Sequence, residues 1–351
     1  MKKNVVVGMS GGVDSAVAAW KLKQDGYDVI GMFMHNWEED GECPAAQDWR
    51  DVNDVCKKLG IECYSVNFAR EYMDGVFEHF LREYRAMRTP NPDVLCNRVV
   101  KFGAFRDYCV MLGADFVATG HYCRRDGDRL LRAADSNKDQ TYFLNQVLTN
   151  QLDKVLFPIG DMLKPDVRKT ADSLGLSVAR KKDSTGICFI GERKFKKFLE
   201  NYLPAQSGDI VDVSGNVVGK HDGLMYYTLG QRRGLGIGGV RGESGRWFVL
   251  RKDVEHNRLV VSCGDESELF SRSLFGSELN IIGAFDMPKT FQCTAKTRYR
   301  QPDCAATFVD LGGGNFRLDF DEPQRAVTPG QYAVIYLGER CLGGGVIEYT
   351  E

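Results

Sequence analysis

The sequence predicts an α/β protein whose core is a doubly wound parallel sheet, followed by a small β unit and a C-terminal β-barrel-like unit. Three observations carry this. Short apolar runs alternate with amphipathic helical stretches through the first 120 residues, the cadence of parallel strands joined by crossover helices. Beyond Pro204 short apolar runs are punctuated by glycine-rich turns, among them Ser214-Gly215-Asn216, Gly234-Leu235-Gly236 and Leu311-Gly312-Gly313-Gly314, as in all-β structure. The 351 residues, 43% hydrophobic and 27% charged, suffice for two or three soluble domains. The expected boundaries are 1–204, 205–272 and 273–351.

In chain order, 4–8 reads as a buried strand, 14–25 as a helix and 28–34 as a second strand. Helix 47–59 keeps Trp49, Val52, Val55, Cys56 and Leu59 on one face, and 62–66 is a third strand. Helix 70–87 carries Met73, Val76, Phe77, Phe80, Leu81 and Tyr84 on one stripe. A proline-rich loop, helix 98–112 and the apolar strand 115–118 follow. Asp126-Gly127 marks a hairpin, and basic, helical sequence runs to about 202. In a sheet of this kind ligands bind at the carboxyl ends of the strands.

No stretch approaches the ~20 apolar residues that span a bilayer, so no membrane association is expected and the protein reads as cytoplasmic. Net charge is −2. Locally, Lys164, Arg168, Lys169, Arg180, Lys181, Lys182, Arg193, Lys194, Lys196 and Lys197 face only Asp166, Asp172, Asp183 and Glu192. Such an excess can meet a phosphate backbone or simply be a solvated helix face. The eleven cysteines are scattered and never paired as C-x-x-C, which argues against a disulfide scaffold or a metal centre, and no metal ligands are assigned.

Gly8-Met9-Ser10-Gly11-Gly12-Val13-Asp14-Ser15 lies between the first strand and first helix. Glycines let backbone N–H groups approach an anion, and the helix N-terminus adds a favourable dipole. Ser10 and Ser15 can donate to phosphate oxygens. Asp14 would be repelled by phosphate, so it is cast as an N-cap or a magnesium-side ligand. The string lacks the Gly-Lys-Ser/Thr of a Walker loop and is not G-x-G-x-x-G. It resembles the PP-loop of the N-type ATP pyrophosphatases, which implies ATP with Mg2+, cleaved to AMP and pyrophosphate while an oxygen is adenylated. By the same resemblance Met34 and Gly120 line the nucleotide crevice.

A second signal is Thr89-Pro90-Asn91-Pro92-Asp93-Val94-Leu95-Cys96-Asn97. Its prolines stiffen the loop. Cys96 is expected at a helix start, where the dipole favours thiolate, and Asp93 lies close enough for acid/base work. The PP-loop, Asn91-Pro92-Asp93-x-x-Cys96-Asn97, Ala118-Thr119-Gly120-His121-Tyr122, Lys138-Asp139-Gln140-Thr141-Tyr142-Phe143-Leu144, Ser184-Thr185-Gly186-Ile187-Cys188-Phe189-Ile190-Gly191 and Tyr227-Thr228-Leu229-Gly230-Gln231-Arg232 occur in this order. Together they resemble the tRNA-specific 2-thiouridylases of bacteria and mitochondria over essentially the whole chain.

The resemblance implies 2-thiolation of the wobble uridine of tRNA, with Cys188 as persulfide carrier, Cys96 as its partner and Asp93 as acid/base. The two cysteines would form a transient disulfide. It implies tRNA contacts at Asn91, Pro92, Asp93, His121, Lys138, Asp139, Gln140, Arg298, Tyr299, Arg300 and Gln331. Expected partners are tRNAs reading glutamate, glutamine and lysine codons and a protein that delivers persulfide sulfur. Two rivals stay open. Amidating ligases share the loop but give no role to Cys96 and Cys188. A nucleotide-binding redox sensor uses the cysteines but leaves the long β region without a task.

Overall fold

The computed structural model describes residues 2–37, 44–183, 195–237 and 245–351. The first strands are β1 (Asn4–Met9), β2 (Asp28–His35), β3 (Glu62–Asn67), β4 (Phe116–Thr119), β5 (Arg124–Asp126), β6 (Arg129–Leu131) and β7 (Val155–Leu156). Five of these form a sheet in the order β3-β2-β1-β4-β7, with every neighbouring pair parallel. The chain winds outward from β1 to β3, then returns to place β4 on the other side of β1, which puts the switch point beside β1.

Strand alternation explains why both faces are covered. Val5, Val7 and Met9 belong to one buried cluster with helix α1 (Val13–Gln24), helix α2 (Pro44–Leu59) and Val167 and Ala171 of helix Lys164–Ser173. Val6 belongs to the opposite cluster, with Tyr72, Val76, Phe77, Phe80 and Tyr84 from 69–85 and Cys96, Val100, Phe105 and Cys109 from 92–111. A buried strand feeding two layers needs apolar side chains at successive positions, and β1 supplies them.

Two expectations are corrected here. The strand β7, only two residues long, lies inside sequence read as helical; so short a run carries no period. The helix expected from 98 begins at Pro92, behind Asn91 in extended backbone. Proline is suited to a first helical turn, whose N–H has no partner inside the helix. Wide π-type turns through Cys96–Phe105 then lead into Arg106–Met111. Cys96 therefore sits one turn inside the helix rather than at its tip.

The remaining strands are β8 (Gly208–Val211), β9 (Val217–His221), β10 (Trp247–Asp253), β11 (Arg258–Cys263), β12 (Phe270–Ile281), β13 (Thr290–Lys296), β14 (Cys304–Gly312), β15 (Asn315–Arg325), β16 (Tyr332–Leu337) and β17 (Arg340–Thr350). The first four form a separate sheet, β10-β11-β8-β9. The last six form an antiparallel barrel, β12-β15-β14-β13-β16-β17, closed by β12 on β17. Closure removes the edges. The fold class is thus a parallel α/β sheet followed by a small β unit and a closed barrel. The Asp126-Gly127 hairpin is present, but β6 pairs with β17 (Leu131 opposite Arg340), so it extends the barrel sheet into the first unit.

The stretch Tyr227–Arg232 touches both the barrel unit and the proline loop. Gly230 turns with φ +74°, and a Cβ there would come 2.9 Å from that of Ala326 in the barrel unit. The Thr228 hydroxyl is 3.4 Å from that of Thr89 in the proline loop. Among the described residues, no helix is long and apolar enough to cross a membrane.

Candidate active site

At the carboxyl end of β1 the chain turns through Ser10, Gly11 and Gly12 into α1. Gly11 adopts φ +72°, and a Cβ there would lie 2.8 Å from the Asp48 carbonyl oxygen, so only glycine fits. Gly12 occupies the N-cap position, and no side chain caps the helix. This corrects the N-cap role expected for Asp14. The Ser15 hydroxyl accepts from the Ser10 backbone N–H at 3.2 Å and lies 3.2 Å from the Gly12 carbonyl oxygen. The result is a fixed loop ending in an uncapped helix N-terminus, which suits an anion. Gly120 lies directly against it: a Cβ there would be 2.7 Å from the Ser15 nitrogen. Met34 closes the other side, its Cε 3.5 Å from where a Gly8 Cβ would be.

The Asp14 carboxylate is already engaged. It accepts from Lys164 Nζ at 2.7 and 2.8 Å and from the Tyr122 hydroxyl at 2.8 Å. Lys164 also pairs with Asp183 at 2.9 Å, and Asp183 accepts from Lys138 and Arg168, both at 2.6 Å. Burial alone would push the Asp183 carboxyl up; the bonds from Lys138 and Lys164 outweigh it and hold it at about 2. Lys181 donates to the Gly11 carbonyl at 2.9 Å and to Asp48 at 2.7 Å, bracing the loop from α2. Magnesium does not fit the loop as a protein-held ion here, because its one carboxylate is neutralised by an ammonium group.

These pairs revise the reading of the basic segment. Lys164, Arg168, Arg180, Lys181 and Lys196 all pair with carboxylates. Lys164, Arg168 and Lys181 therefore help build the floor of the site, while Arg180 and Lys196 sit in exposed surface pairs.

Cys96 is fully buried, in the same apolar cluster as Met34 and Trp37. Asp93, three residues earlier on the helix, is half-buried. Asn97 ties this helix to the end of β4: its Nδ2 donates to the Phe143 carbonyl at 3.1 Å, and its Oδ1 lies 3.1 Å from His121 Nε2. His121 Nδ1 lies 2.8 Å from the Thr119 hydroxyl, so the neutral ring satisfies both partners by donating from Nε2 and accepting at Nδ1. Burial, helped by the charge of Lys101, holds the imidazole pKa well below its ordinary 6.5. The unfolded chain then binds a proton that the folded chain does not, so stability is present above pH 6.5 and declines below it. Between pH 6.5 and 5 this residue should remove up to about 1.4 kcal/mol per pH unit. Chemical denaturation at pH 7.5, 6 and 5, compared between wild type and His121→Gln, checks this; parallel curves would refute it.

Cys188, with the rest of Ser184–Gly191, lies outside the described residues. The nine described cysteines are free thiols. Burial pushes Cys56, Cys109, Cys293 and Cys341 up to about 12, which suits inert core residues.

The residues expected to touch tRNA divide into two groups. Several are engaged internally. Lys138 pairs with Asp183; Asp139 is buried and accepts from the Thr141 hydroxyl at 2.7 Å and the Ala133 N–H at 3.0 Å. Gln140 accepts from the Tyr122 N–H at 2.9 Å, and Gln331 donates to the Thr89 carbonyl at 2.7 Å, tying barrel to proline loop. Pro92 is buried, Asn91 precedes the helix, and Arg298 donates to the Ala326 carbonyl. Tyr299 rests on Phe143 with ring centroids 4.3 Å apart. Arg300 is exposed beside the Tyr299 ring, at 6.0 Å. Sequence reasoning missed Lys164, Lys181 and Tyr122 as supports of the loop. Their partners are more than 100 positions away, and only the Pro165 that starts a helix gave any local signal.

Three consecutive family descriptions match the chain: a tRNA methyl transferase HUP domain over residues 3–192, a tRNA methyl transferase PRC-barrel domain over 196–263 and an aminomethyltransferase beta-barrel domain over 271–347. Full-length relatives agree on one name. The tRNA-specific 2-thiouridylase MnmA of Alkaliphilus oremlandii is 56% identical over 352 residues, covering 98% of this chain and 96% of its own length. Those of Histophilus somni, 57% identical over 99% of this chain and 93% of its own, and Haemophilus influenzae, 56% over 98% and 93%, are as close. With this identity along its whole length, the chain belongs to the tRNA-specific 2-thiouridylases, a family of tRNA sulfurtransferases.

Proposed function

We propose that this protein 2-thiolates the wobble uridine of tRNA at the expense of ATP, in the cytoplasm, with residues 1–204 as the adenylating unit, 205–272 as a small central β unit and 273–351 as the barrel unit that brings Arg298, Tyr299, Arg300 and Gln331 to the tRNA. The observation that carries this reading is the phosphate loop at the carboxyl end of β1 with Gly120 and Met34 beside it, on a sheet face whose apolar cluster also contains the buried Cys96. The loop residues Gly8 to Ser15 and Gly120 bind ATP. The uridine 2-oxygen attacks the α-phosphorus and pyrophosphate leaves. The terminal sulfur of a Cys188 persulfide attacks C2, and AMP departs with the oxygen. The Cys96 thiolate attacks the Cys188 sulfur, releasing the transferred sulfur as the thiocarbonyl and leaving a Cys96–Cys188 disulfide. A reductant must open that disulfide before the next turnover. Asp93 moves the proton of the uridine ring, whose base must leave its stack to reach it.

The substrates are tRNAs for glutamate, glutamine and lysine, and the sulfur comes from a persulfide-carrying protein. Arg300 and Tyr299 supply an exposed cation and a ring for the RNA. Arg300→Ala should weaken tRNA binding several-fold and lower the slope of log affinity against log salt by about 1; an unchanged slope would remove Arg300 from the interface.

The decisive assay combines unmodified tRNA, ATP, magnesium and a persulfide donor. Formation of 2-thiouridine with tRNA-stimulated pyrophosphate release, lost as thiouridine in Cys188→Ser, supports the reading. ATP cleavage that delivers nitrogen to another acceptor would replace it with an amidating ligase.

A further inference from the structure

Asn36 stands out among the buried polar residues. It is 2% exposed, and neither its amide oxygen nor its amide nitrogen has a hydrogen-bond partner among the described residues. Other buried amides in this chain are paired: Asn97 to Phe143 and His121, Asn145 to the Tyr142 carbonyl, Gln146 to the Gly344 carbonyl. A buried carboxamide with both ends unpaired is costly and calls for a missing partner.

Its position says what the partner is. Asn36 follows the last residue of β2, at the carboxyl end of a strand next to β1, where such sheets bind ligands. Along β2, Val29 and Phe33 pack in one cluster and Met32 and Met34 in the other. Residue 36 lies just past the strand, flanked by Met34 and Trp37, which both belong to the cluster that holds Cys96. The backbone on either side is fixed. The His35 carbonyl accepts from the Phe68 N–H at 2.7 Å, and the Trp37 ring packs edge-on against Phe77, Phe198 and Tyr72. A carboxamide held this way offers one acceptor and two donors in a plane, which complements the adjacent donor and acceptor on a nucleobase edge.

We propose that Asn36 is a base-reading residue of this site, its carboxamide forming paired hydrogen bonds with a nucleobase edge. The inference rests on the nucleotide and uridine chemistry proposed above. Two bases enter that crevice, the adenine of ATP and the target uracil, and both present such an edge. Asn36 makes no bond to a reacting atom; it fixes which base is held and in what orientation.

The test compares wild type with Asn36→Leu, similar in shape but unable to hydrogen bond, and Asn36→Ser, which remains polar but cannot make the pair. Equilibrium ATP and GTP binding without tRNA, the KM of tRNA in pyrophosphate release, and the melting temperature are measured together. A purely structural amide would make Asn36→Leu neutral or more stable with all binding unchanged, and that outcome overturns the proposal. If adenine is the partner, both variants lose about 10- to 100-fold in ATP affinity and discriminate less against GTP. If uracil is the partner, ATP binding holds while the KM of tRNA rises by the same factor. Should Asn36→Leu not fold, Asn36→Ser alone decides. A wild type that binds ATP but never thiolates tRNA would sink the reaction proposed above, while the ATP arm still judges Asn36.

Discussion

Cys96→Ser is expected to lower 2-thiouridine formation by at least about 10³-fold, the scale on which removal of an irreplaceable nucleophile acts, while tRNA-stimulated pyrophosphate release stays within a few-fold of wild type. The two readouts separate because Cys96 enters after adenylation. Structure makes the variant interpretable. The side chain is fully buried in the cluster of Met34, Trp37 and Phe105, and serine is nearly isosteric, so the fold is retained at a cost of about 1–3 kcal/mol for the buried hydroxyl. Cys96→Ala removes that hydroxyl and serves as the control for it. Thiolation at the wild-type rate in both variants would exclude Cys96 from sulfur transfer. Loss of pyrophosphate release along with thiolation would assign it to packing instead.

Lys164→Ala carries the second large effect, on ATP itself. Its ammonium neutralises Asp14 in the first turn after the phosphate loop and joins that residue to Asp183. Without it the triphosphate approaches an uncompensated carboxylate. A like charge roughly 5 Å away at an effective dielectric of about 20 is worth about 3 kcal/mol, or about two orders of magnitude in affinity. ATP binding should weaken by that factor. The fold should lose about 1–3 kcal/mol, less than for a fully buried pair because water still reaches both carboxylates. Asp14→Asn combined with Lys164→Met removes both charges, so it should recover much of the ATP affinity lost in Lys164→Ala. A double-mutant cycle with no coupling between the two positions would refute the charge-compensation role.

What the sequence determined by itself is local. The apolar run 4–9 and the glycines after it specify a buried strand turning into a helix, because only such residues survive two covered faces and a left-handed turn at Gly11. The helical periods of 47–59 and 70–87 likewise located elements whose type and position hold. The order of the motif blocks identified the family because it spans the chain. What only the tertiary structure decided is which side chains spend their charge or hydrogen bonds on one another. Lys164 meets Asp14 across 150 positions and Gln331 meets Thr89 across 242, and no period or propensity encodes such a meeting. The same holds for β7, whose two residues are strand only because β4 offers them an open edge, and for the start of 92–111, where Pro92 opens a helix instead of ending one. Local sequence fixes the conformations a segment favours. Pairing partners are fixed by the sheet that brings distant segments to one edge, and the site is built from those pairings.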